Sequence, residues 1–529
     1  MPKQYISYLD TGYFSTLMCD YLSQNENTVP FYHRFPELEN FEAQLKEKQL
    51  SFQTESRTIL VNQLKSQYKS CNPSKATVQN IDSLENNTTF TITTGHQLNL
   101  FTGPLYFLYK IFDAINLSEQ LNKKYPKYHF VPVYWMATED HDFDEINYFN
   151  FKGKKLSWNR ASGGAVGELS TEGLHEVFDI LQQEWGGSKN AKELLHLFSE
   201  SYLKHNSLAN ATRHLANELF KDYGLVIIDG NDAALKKAFI PYAEKELDEN
   251  LSFKNVTETT QNLVRAGYGE QVHPREINLF YLKEGLRERI IEKEGVFYVN
   301  ETQISFSKEE LVNELQNYPE RFSPNALLRP LYQEVILPNL CYIGGGGELA
   351  YWFQLKGYFE TVAVPFPIVL LRNSVLLVPQ KLSEKLEKLG VQVSELFQKQ
   401  HELESWYTKK VSEITIDFSK QRTHLQQQFK DLYTLAKKTD ASFVGAVAAQ
   451  EKKQLKGLDN LEKRLLKAQK RKLAHQLERL ISIREELFPK SSLQERSLNF
   501  SELYLEYGKD LLNLLKNELE PLANKFTLM

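Results

Sequence analysis

The stretch that most constrains the fold runs from Thr91 to Glu145. Phe90-Thr91-Ile92-Thr93-Thr94 has the β-branched and aromatic content of a strand, and Thr94-Gly95-His96-Gln97 supplies a turn. Thr102-Gly103-Pro104 opens a helix, because proline at a first helical position gives up an N–H that has no partner there. Leu105, Leu108, Ile111, Phe112, Ile115 and Leu117 then recur near helical spacing. Phe130-Val131-Pro132-Val133-Tyr134-Trp135-Met136 is a second buried strand, and it runs into Thr138-Glu139-Asp140-His141-Asp142-Phe143-Asp144-Glu145. Such a strand–helix–strand unit is a βαβ crossover, right-handed and with parallel strands.

Both strands of this unit end on one edge, where open α/β sheets take their ligands. One end carries Thr94-Gly95-His96-Gln97: small residues, an imidazole and the approach to a helix N-terminus, a set suited to an anion. The other carries Glu139, Asp140, Asp142, Asp144 and Glu145, five carboxylates within seven residues around His141. That density of negative charge costs free energy unless a cation, a metal or an amine compensates it.

At 529 residues the chain is long enough for about three domains. Its 41% hydrophobic and 25% charged residues allow large cores. A net charge of −5 carries no general footprint for nucleic acid or an acidic membrane. Cys19, Cys71 and Cys341 lie far apart, indicating neither a disulfide framework nor a zinc knuckle. No apolar run has membrane-spanning length and the first residues lack a signal-peptide core, so a soluble cytoplasmic protein is expected.

In chain order, residues 1–88 read as mostly helical. After the βαβ unit come helical stretches at Glu172–Leu195 and Leu208–Phe220, then a third buried strand, Tyr223 to Asp229. A long helix is expected over Ala233–Phe253, with hairpin-like strands near 277–306 and a helix around Lys308–Asn317. Leu340-Cys341-Tyr342-Ile343 is a fourth strand, Leu349–Phe359 a helix and Val362–Leu371 a fifth, proline-interrupted strand. From 381 the chain becomes rich in Lys, Glu, Gln and Leu. Leu458, Leu461, Leu465 and Ala468 step at three to four residues, and after a slip so do Leu473, Leu477, Leu480 and Leu487. Thr439–Gly445 is a candidate reversal, which makes an antiparallel helical hairpin. The expected division is a Rossmann-like core over 1–380 with insertions at about 150–222 and 231–330, a coiled-coil arm over 381–489, and a 490–529 segment packing back on the core.

Gly344-Gly345-Gly346-Gly347, between a strand and a helix, lets backbone N–H groups approach phosphate or carboxylate oxygens. It matches neither GxGxxG nor a Walker A sequence, and the bland alternative is a turn needing positive φ. Lys110 could equally face solvent, Arg329 before Pro330 could simply pair a carboxylate, and His96 could be a hydrogen-bonded turn residue. The basic run Lys463–Lys472 reads as a solvated helix face, and Cys341 as core.

Thr94-Gly95-His96-Gln97 with Thr102-Gly103-Pro104-Leu105-Tyr106, the acidic block Glu139 to Ile146, Arg321-Phe322-Ser323-Pro324-Asn325 with Arg329-Pro330, and Ile343 to Trp352 together resemble the BshC family of bacillithiol biosynthesis. The blocks come in the family's order, and the likeness in layout covers essentially the whole chain. The chain departs from the family at His96, where glutamine is commoner, and in lacking a proline within the glycine run. The resemblance implies a Rossmann-type core with inserted connective segments and a dimerising coiled-coil arm. It also implies condensation of the cysteine carboxyl group with the amine of glucosaminyl malate. ATP, with Mg²⁺, is the expected source of activation, and no zinc site is evident. On this reading Gly95, Gln97, Thr102 and Gly344–Gly347 bind carboxylate or phosphate oxygens. Asp140 and Asp142 hold an ammonium group, and His141 is the acid/base or anion-stabilising candidate. Asn325 and Arg329 take the malate carboxylates or phosphate. His96, Gly103, Lys110, Glu139, Glu348, Tyr351 and Trp352 complete the candidate binding set. The expected partners are these small molecules and a second copy of the chain, without nucleic acid or membrane. Two other readings stay open: a non-catalytic dimeric scaffold that senses a nucleotide or metabolite, and a hydrolase with a metal on Glu139, Asp140, His141 and Asp142.

Overall fold

The computed structural model describes residues 3–529. At its centre is a parallel sheet of β1 (Thr89–His96), β2 (His129–Met136), β3 (Val226–Asp229), β4 (Asn339–Gly344) and β5 (Ile368–Leu371). The spatial order β5-β4-β1-β2-β3 is the doubly wound order of Rossmann folds. Thr94 lies opposite Tyr134 on one side and Ile343 on the other, so the three middle strands end level. Every residue of β1 is buried, as a parallel strand covered on both faces must be. Phe90, Ile92, Phe130, Ile368 and Leu370 pack with Leu117 and Leu121, whereas Val131, Val133, Val369 and Leu371 join the larger core cluster. That is the two-residue period of a strand buried on both sides.

Helix α1 (Tyr106–Lys124) makes the β1–β2 crossover. It starts later than its proline suggests. Phe101, Thr102 and Gly103 have φ of 48°, 70° and 63°, a left-handed turn that Pro104 leads out of. The 150–222 insertion carries helices that include α2 (Leu208–Phe220), which packs against β3. The 231–330 insertion carries an antiparallel sheet of five strands between Leu279 and Pro324.

Three further expectations are corrected. The single helix over 233–253 is three helices, Ala233–Lys237, Ile240–Glu249 and Leu251–Arg265. Pro241 restarts it, and Asn250 breaks it in the left-handed region at φ 50°. The fifth strand begins only at Ile368, because Pro365 and Pro367 have no N–H for a sheet ladder. Helix α3 (Arg329–Ile336) carries Arg329 as its first residue, and α4 runs over Gly346–Gln354, three residues earlier than Leu349.

The arm is a hairpin of α5 (Ser419–Ala436) and α6 (Ala441–Lys472) around Phe429, Ala436 and Val447. Arg422 ties the two helices through Asp459 and Glu462, both at 2.7 Å. Leu473 interrupts the helix where the apolar spacing slips, and α7 (Ala474–Leu487) buries Leu477, Leu480 and Leu487 in the main core. The last strand, Phe526–Leu528, pairs with Gln4–Ile6 and with Val375–Leu376.

At the amino end of β4 the Lys48 ammonium meets Glu334 at 3.3 Å with both side chains essentially inaccessible, 1% and 0% exposed. Gln333 and Asn339 donate to the same carboxylate. Removing one member of a buried pair leaves an uncompensated charge. Glu334→Ala should therefore cost about 3–5 kcal/mol in urea unfolding, and adding Lys48→Met should restore most of it.

Candidate anion site at the carboxyl edge of the sheet

The crossover from β1 moves towards β2 and that from β4 towards β5, so the two strands separate at their carboxyl ends and leave a crevice. Four elements put side chains there. Lys110 of α1, only 3% exposed, donates to the Gly95 carbonyl at 2.8 Å and pairs with Glu348 of α4 at 2.5 Å. Glu348 also accepts the Gly345 N–H at 2.7 Å and the Tyr342 hydroxyl at 2.8 Å. Burial pushes the Glu348 carboxyl up, but Lys110, the Gly345 N–H and Tyr342 outweigh it and hold it below the usual range. Burial lowers the Lys110 pKa, and Glu348 opposes that.

The glycine run is not a free loop, and positive φ is not what it supplies. Gly344 ends the strand, Gly345 caps α4, and Gly346 and Gly347 form its first turn. The reason is the Glu348 carboxylate on the Gly345 N–H, which starts the helix at once. Glycine is needed for close approach. A Cβ on Gly344 would meet Glu348, Leu349 and Tyr342 at 3.0 Å, and one on Gly346 would meet Met18 at 3.1 Å.

Arg329 lies against the rings of Trp135 and Tyr342, 5.8 and 5.5 Å from their centres. Its Nη1 donates to Gln333, while its Nη2 is buried with no partner. Burial works against its charge, but the Tyr351 and Tyr342 phenols and Glu348 hold its pKa above the ordinary arginine value. Tyr351 thus stands beside the guanidinium. Trp352 does not reach the crevice, being fully buried among Tyr342, Phe359 and Phe366. Asn325 is also occupied elsewhere. Its Oδ1 accepts the Leu327 and Leu328 N–H groups and its Nδ2 donates to Asn278, which shapes the start of α3.

Arg372 was missed by the sequence reading, although an arginine immediately after the fifth strand was a findable signal. It is 3% exposed, its N–H donates to the Gly344 carbonyl, and its guanidinium covers Tyr106 at 4.7 Å. A Cβ on Gly345 would stand 3.8 Å from its Nε, which places it beside the α4 N-terminus.

The acidic block is compensated mainly from the 231–330 insertion. Glu139 pairs with buried Lys236 at 2.5 Å. Asp140 accepts the His141 N–H at 2.8 Å and Gln97 Nε2 at 2.9 Å, and Gln97 also reaches Glu145 at 2.9 Å. Arg287 donates to His141 Nδ1 at 2.6 Å while stacking on Phe280. With Nδ1 accepting, the neutral ring carries its proton on Nε2, facing outwards. Asp142 is exposed. Neither Lys236 nor Arg287 carries a local sequence signal, since both come from distant elements. Among the described residues no three His, Cys, Asp or Glu side chains converge as a metal site would require. The four-residue metal reading finds no support in this geometry: Lys236 pairs with Glu139, Gln97 and the His141 N–H hold Asp140, Arg287 holds His141, and Asp142 stands exposed.

His96 lines a small cavity of about 10 Å³ with Gln97, Asn99, Thr102, Phe107, Tyr134 and Thr212. Burial and nearby Lys110 push its pKa down to about 3. Its Nε2 donates to the Thr102 carbonyl at 3.3 Å, leaving Nδ1 as an acceptor. Asn99 Oδ1, Thr102 Oγ1 and Thr212 Oγ1 are buried without partners. Gly103 is compelled here: at φ 63° a Cβ would lie 2.5 Å from that of Asn99.

Fold and site thus describe a Rossmann-like α/β protein with a cationic switch-point crevice and a coiled-coil arm. A family model described as the BshC N-terminal Rossmann-like domain of bacillithiol biosynthesis matches residues 1–373, and the BshC C-terminal coiled-coil domain matches 375–529. Curated proteins named "Putative cysteine ligase BshC" align along the whole chain. That of Christiangramia forsetii is 57% identical, covering 100% of this chain and 99% of its own. That of Flavobacterium johnsoniae is 58% identical, with 100% of both covered. That of Cytophaga hutchinsonii is 39% identical, with 97% and 96% covered. The chain belongs to the BshC family.

Two outcomes follow from the cavity. A volume near 10 Å³ with several unmet polar groups is room for one water, which a high-resolution crystal structure should show. Because the folded His96 pKa lies below its free value of 6.5, the unfolded chain takes the proton first as pH falls. The His96 contribution is complete above 6.5 and is lost progressively down to about 3. Between pH 7 and 5 the wild type should lose about 2 kcal/mol that His96→Gln does not, at 1.36 kcal/mol per unit, in paired urea titrations.

Proposed function

We propose that the protein is a cysteine ligase that joins the carboxyl group of L-cysteine to the amine of glucosaminyl malate, the amide-forming step of bacillithiol synthesis. It works in the cytoplasm as a homodimer through the arm. Membership of the BshC family and the names of its relatives support the activity. Leu432, Leu435, Phe443 and Leu461, exposed on the arm, support self-association. No helix among the described residues is long and apolar enough to cross a membrane.

The observation that carries the site is the partnerless Nη2 of Arg329, buried beside the α4 N-terminus and the Lys110–Glu348 pair. Lys110 is paired with Glu348 and Arg372 with Glu495, which leaves Arg329 as the cation without a carboxylate, so an anion completes the charge balance, and an arginine fork suits a carboxylate or phosphate. The α4 N-terminus and Lys110 would hold ATP phosphate oxygens, with Mg²⁺ carried on the nucleotide, and Arg329 would take a malate carboxylate. ATP supplies the activation that a free carboxylate needs at neutral pH. A cysteine carboxylate oxygen attacks phosphorus, displacing pyrophosphate or ADP. The glucosaminyl malate amine then attacks the activated carbonyl, expelling AMP or phosphate and releasing a proton. Exposed Asp142, beside Asp140, receives the ammonium form of that amine. His141, fixed by Arg287, presents an N–H and acts as a donor to developing negative charge, so the base role falls to a carboxylate.

Mass spectrometry of purified protein with cysteine and glucosaminyl malate should show product only when ATP and magnesium are added, with AMP or ADP formed alongside. Product without ATP, or none under any condition, would contradict the reaction. Asp142→Asn should raise the KM for glucosaminyl malate about tenfold or more, the value of one charged hydrogen bond, with less effect on the KM for ATP.

A further inference from the structure

We infer that Asn499 and Glu495, in the segment following the arm, are positioning residues for the carboxyl-edge site; the inference rests on the reading of that site given above. Helix α7 leaves the arm at Leu487, and the chain then passes between two loops at the edge of the sheet. One is the turn after β1. The other follows β5 and carries Arg372.

The turn has few internal bonds of its own. Phe101 and Thr102 sit in the left-handed region, which costs side-chain-bearing residues free energy and persists only where surroundings enforce it. Asn499 Nδ2 donates to the Phe101 carbonyl at 2.8 Å and to the Gly103 carbonyl at 2.7 Å. The Leu105 N–H donates to the Leu498 carbonyl at 2.7 Å. The turn leads directly into α1 and so sets where Lys110 stands. On the other loop, Glu495 accepts Arg372 Nη2 at 2.8 Å, the Ser374 hydroxyl at 3.1 Å and the Val375 N–H at 3.1 Å. Gln494 exchanges two hydrogen bonds with the Leu377 backbone. Glu495 and Asn499 are both 0% exposed.

The bonds to Phe101, Gly103, Leu105 and Arg372 run from the part of the chain matching the coiled-coil model to the part matching the Rossmann-like model, whereas those to Val375 and Leu377 lie within the coiled-coil match. The segment holds Arg372 beside the α4 N-terminus and fixes the turn behind Lys110. The crevice is therefore completed by residues carried at the base of the arm.

Asn499 also caps the helix Phe500–Tyr507 by accepting the Ser501 N–H, and this allows a clean test in the full chain. Serine and aspartate both keep an N-cap oxygen but lack the amide donor. N499S should unfold within a few degrees of the wild-type temperature, whereas N499D, which buries a carboxylate against two carbonyl oxygens, should unfold lower. Amides 101–105 should exchange hydrogen about tenfold faster or more, the factor that one to two lost hydrogen bonds produce, while the remote sheet at 279–299 exchanges as before. In the ATP-dependent assay kcat should fall about tenfold and the KM for ATP should rise, as a displaced Lys110 requires, and E495Q should act in the same direction more weakly. Wild-type exchange and kcat in both Asn499 variants would overturn the inference. So would faster exchange spread equally to 279–299, which marks a general loss of structure. A wild-type chain that makes no product would remove the reaction reading, and the exchange measurement would then decide the positioning role alone.

Discussion

The contact on which the site depends is the Lys110–Glu348 pair. It joins α1, which follows β1, to α4, which follows β4, and so spans the point where the two crossovers part. Burying both charges is costly, and the pair survives because each has more than one partner: the Gly95 carbonyl for Lys110, and the Gly345 N–H and Tyr342 hydroxyl for Glu348. With Glu348 consumed in this way and Glu495 paired with Arg372, Arg329 is left without a carboxylate partner. The crevice keeps a surplus of positive charge in a place where water is scarce and each charge counts for more.

A second electrostatic arrangement lies next to it. The acidic block at the end of β2 is tied to the β1 turn by Gln97, which reaches both Asp140 and Glu145. Lys236 and Arg287 offset part of its charge and leave Asp142 exposed. A cationic crevice and an exposed carboxylate at neighbouring strand ends match a reaction between a carboxylate substrate and an amine, the chemistry of amide formation. The insertions supply the counter-charges, and the segment after the arm holds the loops.

The parallel sheet was legible because β1 and β2 are nearly continuous apolar or β-branched runs, and their ends announce themselves by composition. Lys110 and Gly344–Gly347 could be singled out for the same reason: they sit at strand ends or helix starts. What lay in long-range contacts was illegible. Lys236 and Arg287 stand out only once the 231–330 insertion folds over the acids. Trp352 reads as a pocket residue until its burial among three aromatic rings is seen, and Asn325 as a ligand group until its amide is found bonded to the Leu327 and Leu328 N–H groups and to Asn278. The left-handed Phe101 and Thr102 defy local rules, and tertiary bonds from Tyr202, Asn499 and His96 hold them there.

The most direct test of the central claim is calorimetric titration of glucosaminyl malate into the wild type and into Arg329→Met. If the free N–H of Arg329 receives a substrate carboxylate, the variant should bind about 100-fold more weakly while unfolding at a similar temperature, the range for losing one partner of a buried charge pair. Equal affinity in the two proteins would contradict the account.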